Sequence, residues 1–358
     1  MGQRKEIVTT FVSQGLPVYR AINIAGIKKS TYYYRSNGRP IGKRPSTHTF
    51  NGNRLLVPNH KVVNEIIDII SPEYHDYGYQ VVTHQLRRKG YIINPKKVYR
   101  LMKEHKLLHP KIVRGNRLNK VFIKHTVPPL EGPFFTVEAD IKYIYLHEQN
   151  RNAFLITFLC TFCRYAAVWE LSYSMRSNQI IDLVKDFISH PVVRENIDYK
   201  KVNVKIRTDN GPQFIAKNLA KALDKLKINH EFINPGTPQE NGHIESFHST
   251  VTRLVCKRNI FKDLNHAISI FQEFFSAYNN TRVMKSLLHH SPIEIIKLWK
   301  IGVIGIKKDK YGKEIFFLNE KPVYNIKTGS IFKVLTKSKK INTLDYSLLN
   351  LQEISPVL

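Results

Sequence analysis

The sequence predicts a multidomain α/β protein. A core with a mixed five-stranded sheet and helices is preceded by helical units and followed by a small β-rich region. Three observations carry this prediction. Between residues 132 and 300, three apolar, β-branched or aromatic runs are followed by alternating helical and strand patterns. Before residue 110 the apolar spacing is helical, punctuated at Gly15-Leu16-Pro17, Gly26, Ser71-Pro72 and Gly90. Beyond residue 300, short strand-like runs alternate with the turn residues Asn319-Glu320 and Thr328-Gly329. With 358 residues, 42% of them hydrophobic, the chain can bury cores in two or three domains.

Residues 1–35 read as helices over 5–13 and 18–25 and a third over 30–34 capped by Ser30, the outline of a helix-turn-helix. A plain three-helix packing unit is the competing reading. Residues 36–60 carry no hydrophobic period and are expected to be a basic linker. Residues 61–109 read as a second helix-turn-helix, with helices over 62–70, 80–89 and 96–105 and Pro95 at a first helical position. From 87 to 124 basic residues face a single acid, Glu104, and Tyr91 and Tyr99 are interleaved among them. A run so one-sided reads as a phosphate-binding face, with Arg87, Arg88, Lys89, Lys96, Lys97, Arg100 and Lys103 as the DNA contacts. Residues 110–131 continue as a basic link into the core, residues 132–300.

In the core, strands are expected over 135–145, 153–162, 166–172, 202–207 and 230–233. Helices are expected over 177–190 and 216–226, and a long helix starts near 240. Asp140 interrupts the first strand, where a lone carboxylate is costly unless it is paired or binds a cation. Asp209 follows an apolar strand and opens the turn Asp209-Asn210-Gly211-Pro212, where a sheet fixes a side chain and a loop exposes it. Glu245 lies on the helix after the Pro/Gly loop 234–242, and 35 residues separate it from Asp209. Three carboxylates from separate elements can hold two divalent ions for phosphoryl transfer. An all-oxygen ligand set favours Mg²⁺ or Mn²⁺ over zinc. On a continuous helix Asn241, Glu245 and Ser249 share one face. Asn241 and Arg253 are therefore expected to point toward DNA, and His243 to make a neighbouring DNA or surface contact. Cys160 and Cys163 sit in an apolar strand without enough further ligands for a zinc site, and read as core cysteines.

These residues resemble the DDE superfamily of polynucleotidyl transferases, and within it the OrfB-type transposases of the third insertion-sequence family, relatives of retroviral integrases. The resemblance rests on Asp140-Ile141-Lys142-Tyr143, on Asp209-Asn210-Gly211-Pro212-Gln213-Phe214, and on Pro238-Gln239-Glu240-Asn241 leading to Glu245-Ser246-Phe247. Tyr278-Asn279-Asn280-Thr281-Arg282 and Ser291-Pro292 extend it, so it spans residues 70 to 298. The 80–109 segment also resembles the helix-turn-helix that precedes the core in that group. Lys142 stands where the group has Thr, and Cys160 to Arg164 replaces an Asp and Ser-Arg pattern. The resemblance implies an RNase H-like core and two Mg²⁺ (or Mn²⁺) ions on Asp140, Asp209 and Glu245. It implies strand cleavage at an element end and strand transfer. It implies double-stranded DNA as partner and a homo-oligomer on DNA, and it admits an upstream partner protein. A catalytically inactive DNA-binding remnant and a metal-dependent nuclease are the alternatives.

The bulk properties agree. Lys and Arg number 56 against 28 Asp and Glu, a net charge of +28 that attracts polyanions. No 18-residue apolar run reads as a membrane span, and three cysteines suit a reducing cytoplasm, so a cytoplasmic, nucleoid-associated protein without membrane contact is expected. The tail, 301–358, is expected to form a small β-rich domain.

Overall fold

Of the 358 residues, the computed structural model describes 2–34, 45–110, 128–326, 329 and 331–334. The expected basic link at 111–127, most of the linker's cations and the lysine-rich end of the tail lie outside the described residues. The chain divides into two compact units, 1–47 and 48–358.

The first unit holds α1 (Gly2–Ser13), α2 (Val18–Ile24) and α3 (Lys29–Tyr33), packed on Val8, Ala21 and Ile22. Ser30 lies inside α3 and does not cap it. The chain is extended at Lys28, whose carbonyl accepts the Thr31 and Tyr32 N–H groups.

The second unit begins with a feature that the expected linker does not contain. β1 (His48–Phe50) and β2 (Leu56–Pro58) form an antiparallel hairpin. Its turn is closed by Asn51, whose side-chain oxygen accepts the N–H groups of Asn53 (3.1 Å) and Leu55 (2.8 Å). Phe50 bridges Ile92. The hairpin leaves almost no hydrophobic period because most of its side chains are exposed.

Three helices follow: α4 (Asn59–Ile70), α5 (Tyr79–Arg88) and α6 (Pro95–Glu104). Val62, Ile66, Val82, Leu86, Val98 and Leu101 close their core. Pro95 takes the first position of α6, and Asn94 caps it through Lys96 N–H (2.9 Å).

The central sheet contains β3 (Thr136–Leu146), β4 (Arg151–Cys160), β5 (Ala166–Ser172), then α7 (Ser177–Ser189), α8 (Pro191–Arg194), β6 (Lys205–Thr208), α9 (Lys217–Lys225) and β7 (Asn229–Phe232). Its order is β5-β4-β3-β6-β7. The first three strands run antiparallel, and β3-β6 and β6-β7 are parallel, so this is the expected mixed five-stranded sheet. Alternation along the strands feeds two cores. Val137, Ala139, Ile156 and Phe158 pack toward α7 and α9 with Phe187 and Leu219. Leu155 and Leu159 pack on the other face. That face is covered by α10 (Gly242–Val251) and α11 (Leu264–Asn280), through Ile244, Phe247, Phe271 and Phe274. Cys160 and Cys163 are buried and free, and Cys160 Sγ accepts the Phe134 N–H at 3.2 Å, so they belong to the core.

The motif from Tyr278 to Pro292 docks the helical unit on this core. Asn279 is buried and bonds both backbone groups of Ala166 at 2.9 Å. Arg282 pairs with Asp76 at 2.8 Å and reaches the Tyr74 carbonyl. Ser291 and Glu294 form a capping box at the start of α12 (Pro292–Lys300). Past α12, β8 (Ile304–Lys308) and β9 (Glu314–Leu318) pair, as do β10 (Pro322–Tyr324) and β11 (Ile331–Val334). The β8–β9 hairpin shares the α7-side core, with the Phe316 ring 4.8 Å from Phe162, so this part of the tail extends the core rather than standing apart from it.

Candidate active site

Asp140 lies near the middle of β3, the central strand of the sheet. Its neighbour β6 pairs with it in parallel, Thr136 with Lys205 and Glu138 with Arg207. The last paired residues, Glu138 and Arg207, stand two positions before Asp140 and Asp209 respectively. Asp209 leaves the sheet just past β6 and accepts the Gly211 N–H at 3.0 Å. Asn210 ties the turn to the end of β7 through the Ile233 carbonyl (2.9 Å). A Cβ at position 211 would meet the end of the Gln213 side chain and lie 3.1 Å from Asp209 Oδ1. Phe214, 1% exposed, anchors the turn in the core.

Glu245 arrives on α10 through a loop that is closed by its own side chains. The Glu240 carboxylate accepts the Asn234 N–H (2.8 Å) and side-chain amide (3.0 Å). Arg207 donates to Glu231 at 2.9 Å and to the Glu240 carbonyl at 3.1 Å. On α10, Ile244, Phe247 and Val251 face the core, which turns Glu245 outward, exposed. Two contacts set the helix over β3. The Ile244 N–H meets Glu138 Oε2 at 2.8 Å, and one turn on His248 Nδ1 lies 3.4 Å from Asp140 Oδ2.

The donor chemistry suits a hard divalent cation, being oxygen throughout. Asp140 Oδ1 takes only the Ile141 N–H and Asp209 Oδ1 only the Gly211 N–H, and no ion pair with lysine or arginine engages the three carboxylates among the described residues. The structure nonetheless stops short of a closed ligand cluster. Among the described residues no three His, Cys, Asp or Glu side chains are gathered closely enough to clasp one ion. The β3–β6 pairing ends two residues before both Asp140 and Asp209, and Glu245 faces outward from the helix laid over β3.

Several expected DNA contacts sit differently. The long helix begins with a 3-10 turn, Pro238–Asn241, and ends in a π-helical segment, Thr252–Cys256. Asn241 therefore precedes α10, is 3% exposed, and does not share the outward face of Glu245. His243 is largely withdrawn. Burial, with Arg164, Lys313 and Arg207 nearby, pushes its imidazole down to about 3, so it is neutral rather than a phosphate-binding cation. Arg253 is ion-paired with Asp76. Arg88 is 7% exposed, pairs with Glu294 at 3.1 Å and donates to the His289 carbonyl at 2.7 Å, so it has no access to DNA. Lys89 pairs with Glu65 (2.6 Å), Arg100 pairs with Glu104 (3.4 Å), and Lys97 donates to the His48 carbonyl (2.5 Å). Arg87, Lys96 and Lys103 remain exposed, although Arg87 also donates to the Ile93 carbonyl. Sequence reading passed over Glu138 and His248. Their signal is positional: Glu138 shares the strand face of Asp140, and His248 lies one turn beyond Glu245 on the same helix side.

The comparisons with known proteins agree with this fold. Two family profiles described as "Integrase core domain" match residues 131–238 and 226–292, and one described as "HTH-like domain" matches 59–114. The InsK protein for insertion sequence element IS150 of Escherichia coli (strain K12) is 22% identical over 290 residues, covering 78% of this chain and 94% of the relative. The transposase for insertion sequence element IS904 of Lactococcus lactis subsp. lactis (strain IL1403) is 23% identical, covering 64% and 91%. Among solved structures, the simian T-cell lymphotropic virus intasome in complex with PP2A regulatory subunit B56 gamma aligns over 62% of this chain and 70% of the other, at 16% identity and a TM-score of 0.41. The HTLV-2 integrase catalytic core domain in complex with magnesium aligns over 47% and 99%, at 17% identity and a TM-score of 0.36. An integrase core behind an HTH-like domain makes this chain a polynucleotidyl transferase of the DDE superfamily. Within that class it belongs to the insertion-sequence transposases of the OrfB type.

No helix among the described residues is long and apolar enough to cross a membrane.

Proposed function

We propose that Asp140, Asp209 and Glu245 are the catalytic carboxylates of this transposase and the ligands of two Mg²⁺ (or Mn²⁺) ions. When bound, such ions activate an attacking oxygen and stabilise a leaving oxygen in phosphoryl transfer. The reaction is hydrolysis of a phosphodiester at an element end, followed by attack of the freed 3′-hydroxyl on a second strand. The protein's own residues hold the carboxylates in place. The Ile141 N–H and His248 orient Asp140, the Gly211 N–H orients Asp209, and the apolar face of α10 turns Glu245 toward solvent and substrate. Double-stranded DNA is the substrate. The +28 charge draws it in, and exposed cations such as Lys96 and Lys103 on α6 track its phosphates. The first helical unit is a further candidate DNA-binding element. Two element ends must be joined, so the working form is a homo-oligomer on DNA in the cytoplasm, and an upstream protein can take part in it.

The observations that support this reading are the parallel pairing of β3 with β6 up to Glu138 and Arg207, each two residues before one of the aspartates, and the contact of His248, on the helix bearing Glu245, with Asp140. The test is a labelled duplex carrying the flanking element end, incubated with the protein and Mg²⁺. Nicked and joined products are expected, and both vanish in Glu245→Gln. Cutting without joining would reduce the reading to a nuclease. Salt-sensitive binding with no chemistry dependent on Glu245 would overturn it.

A further inference from the structure

Glu138 is a charged residue with no exposure at all, two positions before Asp140 on the same face of β3. Its carboxylate accepts the backbone N–H of Ile244 in the first turn of α10 at 2.8 Å. That bond spans 106 residues of chain. The helix has no cap of its own: Asn241 stands at the N-cap position, makes no side-chain capping bond, and keeps its buried Oδ1 without a partner. The first-turn N–H groups of a helix need an acceptor, and a carboxylate there also meets the positive end of the helix dipole. Glu138 supplies that acceptor from outside the helix. The other carboxylate oxygen, Oε1, is buried without a partner. Burial pushes the carboxyl up to about 7, against the pull of the Ile244 N–H and the guanidiniums of Arg164 and Arg207.

From this geometry we infer that Glu138 is a positioning residue: it caps α10 from β3 and thereby sets Glu245 against Asp140. The residue after the bonded Ile244 is Glu245, and the second residue after Glu138 is Asp140, so one side chain ties the two elements together beside both carboxylates. A cap provided by the helix itself would stabilise α10 without adding this bond to the sheet. The inference rests on reading Asp140 and Glu245 as partners in one site.

The test separates that dependence by reading the helix directly. Amide hydrogen exchange is followed in full-length wild-type protein, Glu138→Leu and Glu138→Gln, alongside strand cleavage and its Mg²⁺ half-saturation. In Glu138→Leu, residues 242–247 are expected to exchange at least about tenfold faster while β4 stays protected, because the cap is lost and the sheet is not. Cleavage falls by about a hundredfold or more, and the Mg²⁺ requirement rises. Glu138→Gln retains an oxygen acceptor and restores both the protection and most of the rate. Unchanged protection of 242–247 in Glu138→Leu, or exchange raised equally in β4, would overturn the inference. So would a Gln variant as impaired as Leu, since the cap would then not be the cause. Should Leu prevent folding, Glu138→Met replaces it with a longer apolar side chain and is read the same way. The exchange result stands whether or not the protein joins DNA, so failure of the cap and failure of the transposase reading are told apart.

Discussion

Two polar regions of the second unit are built on opposite rules. At the seam between the helical unit and the core, charges are matched: Arg88 with Glu294 at 3.1 Å and Arg282 with Asp76 at 2.8 Å. The Val283 N–H donates to Tyr77, and His84 stacks on His289 with ring centroids 3.6 Å apart. At the candidate active site, no lysine or arginine is paired with Asp140, Asp209 or Glu245 among the described residues, and the one ring contact is that of His248 with Asp140. Matched charges in a low-dielectric seam lock two bodies together, and removing one partner is expensive. Carboxylates left unmatched are available to a cation that the chain does not itself supply. The seam therefore holds two elements in position, while the candidate active site leaves its carboxylates without lysine or arginine partners among the described residues.

The largest effect should come from the candidate active site. Asp140→Asn, Asp209→Asn or Glu245→Gln is expected to lower strand cleavage by at least about a thousandfold, about 4 kcal/mol in the barrier, with affinity for end DNA and thermal midpoint near wild type. Loss of folding in all three would place them with the seam residues instead.

At the seam the expected loss is in stability. Arg88→Ala strands Glu294 in a buried site and should cost about 3–5 kcal/mol in denaturant unfolding. Arg88→Met combined with Glu294→Leu should recover much of that, because the stranded charge is gone. A single variant that unfolds like wild type would show the seam to be dispensable.

The seam should also be the acid-sensitive region. His290 is 1% exposed, between Tyr324 (3.0 Å) and the Leu287 carbonyl (3.3 Å). Burial and then Arg88 push its imidazole down to about 3. Above the ordinary histidine value of about 6.5 both folded and unfolded chains hold it neutral. As pH falls below that value, the unfolded chain takes up a proton that the folded chain refuses until about 3. Stability is therefore lost on acidification, by up to about 1.4 kcal/mol per pH unit from this group. Unfolding midpoints at pH 7 and 5.5 should differ less in His290→Gln than in wild type. Equal slopes would remove His290 from this account.

The smallest effect concerns the open helical surface. Lys96→Glu with Lys103→Glu should leave unfolding unchanged and weaken DNA binding. The slope of log affinity against log salt should fall by roughly 0.9 for each phosphate no longer neutralised. An unchanged slope would move the DNA path off α6.

The sequence read well where a local signal and a tertiary role coincide. The strand carrying Asp140, the turn at Asp209 and the approach to Glu245 were legible because each combines apolar periodicity with turn residues. The order of the five sheet strands and of the helices α7, α9 and α10 followed from the same patterns, whereas α8, α11 and α12 did not. The β1–β2 hairpin was not legible, since its outward side chains leave little alternation and its turn depends on one asparagine. Basic residues were the poorest guide. Arg88 and Lys103 look alike in the chain, yet one is buried on Glu294 and the other exposed, and only a partner more than 200 residues away makes the difference.

The sequence by itself determined which residues could do chemistry and in what order the elements come, because periodicity and turn chemistry act over a few residues. Tertiary structure alone decided which charges meet. Capping of α10 by Glu138, the contact of His248 with Asp140, the pairing of Arg253 with Asp76, and the withdrawal of Arg88 and Asn241 all depend on long-range packing. Electrostatic and hydrogen-bond energies depend on distance and burial in space, and neither quantity is written in the local pattern of a chain.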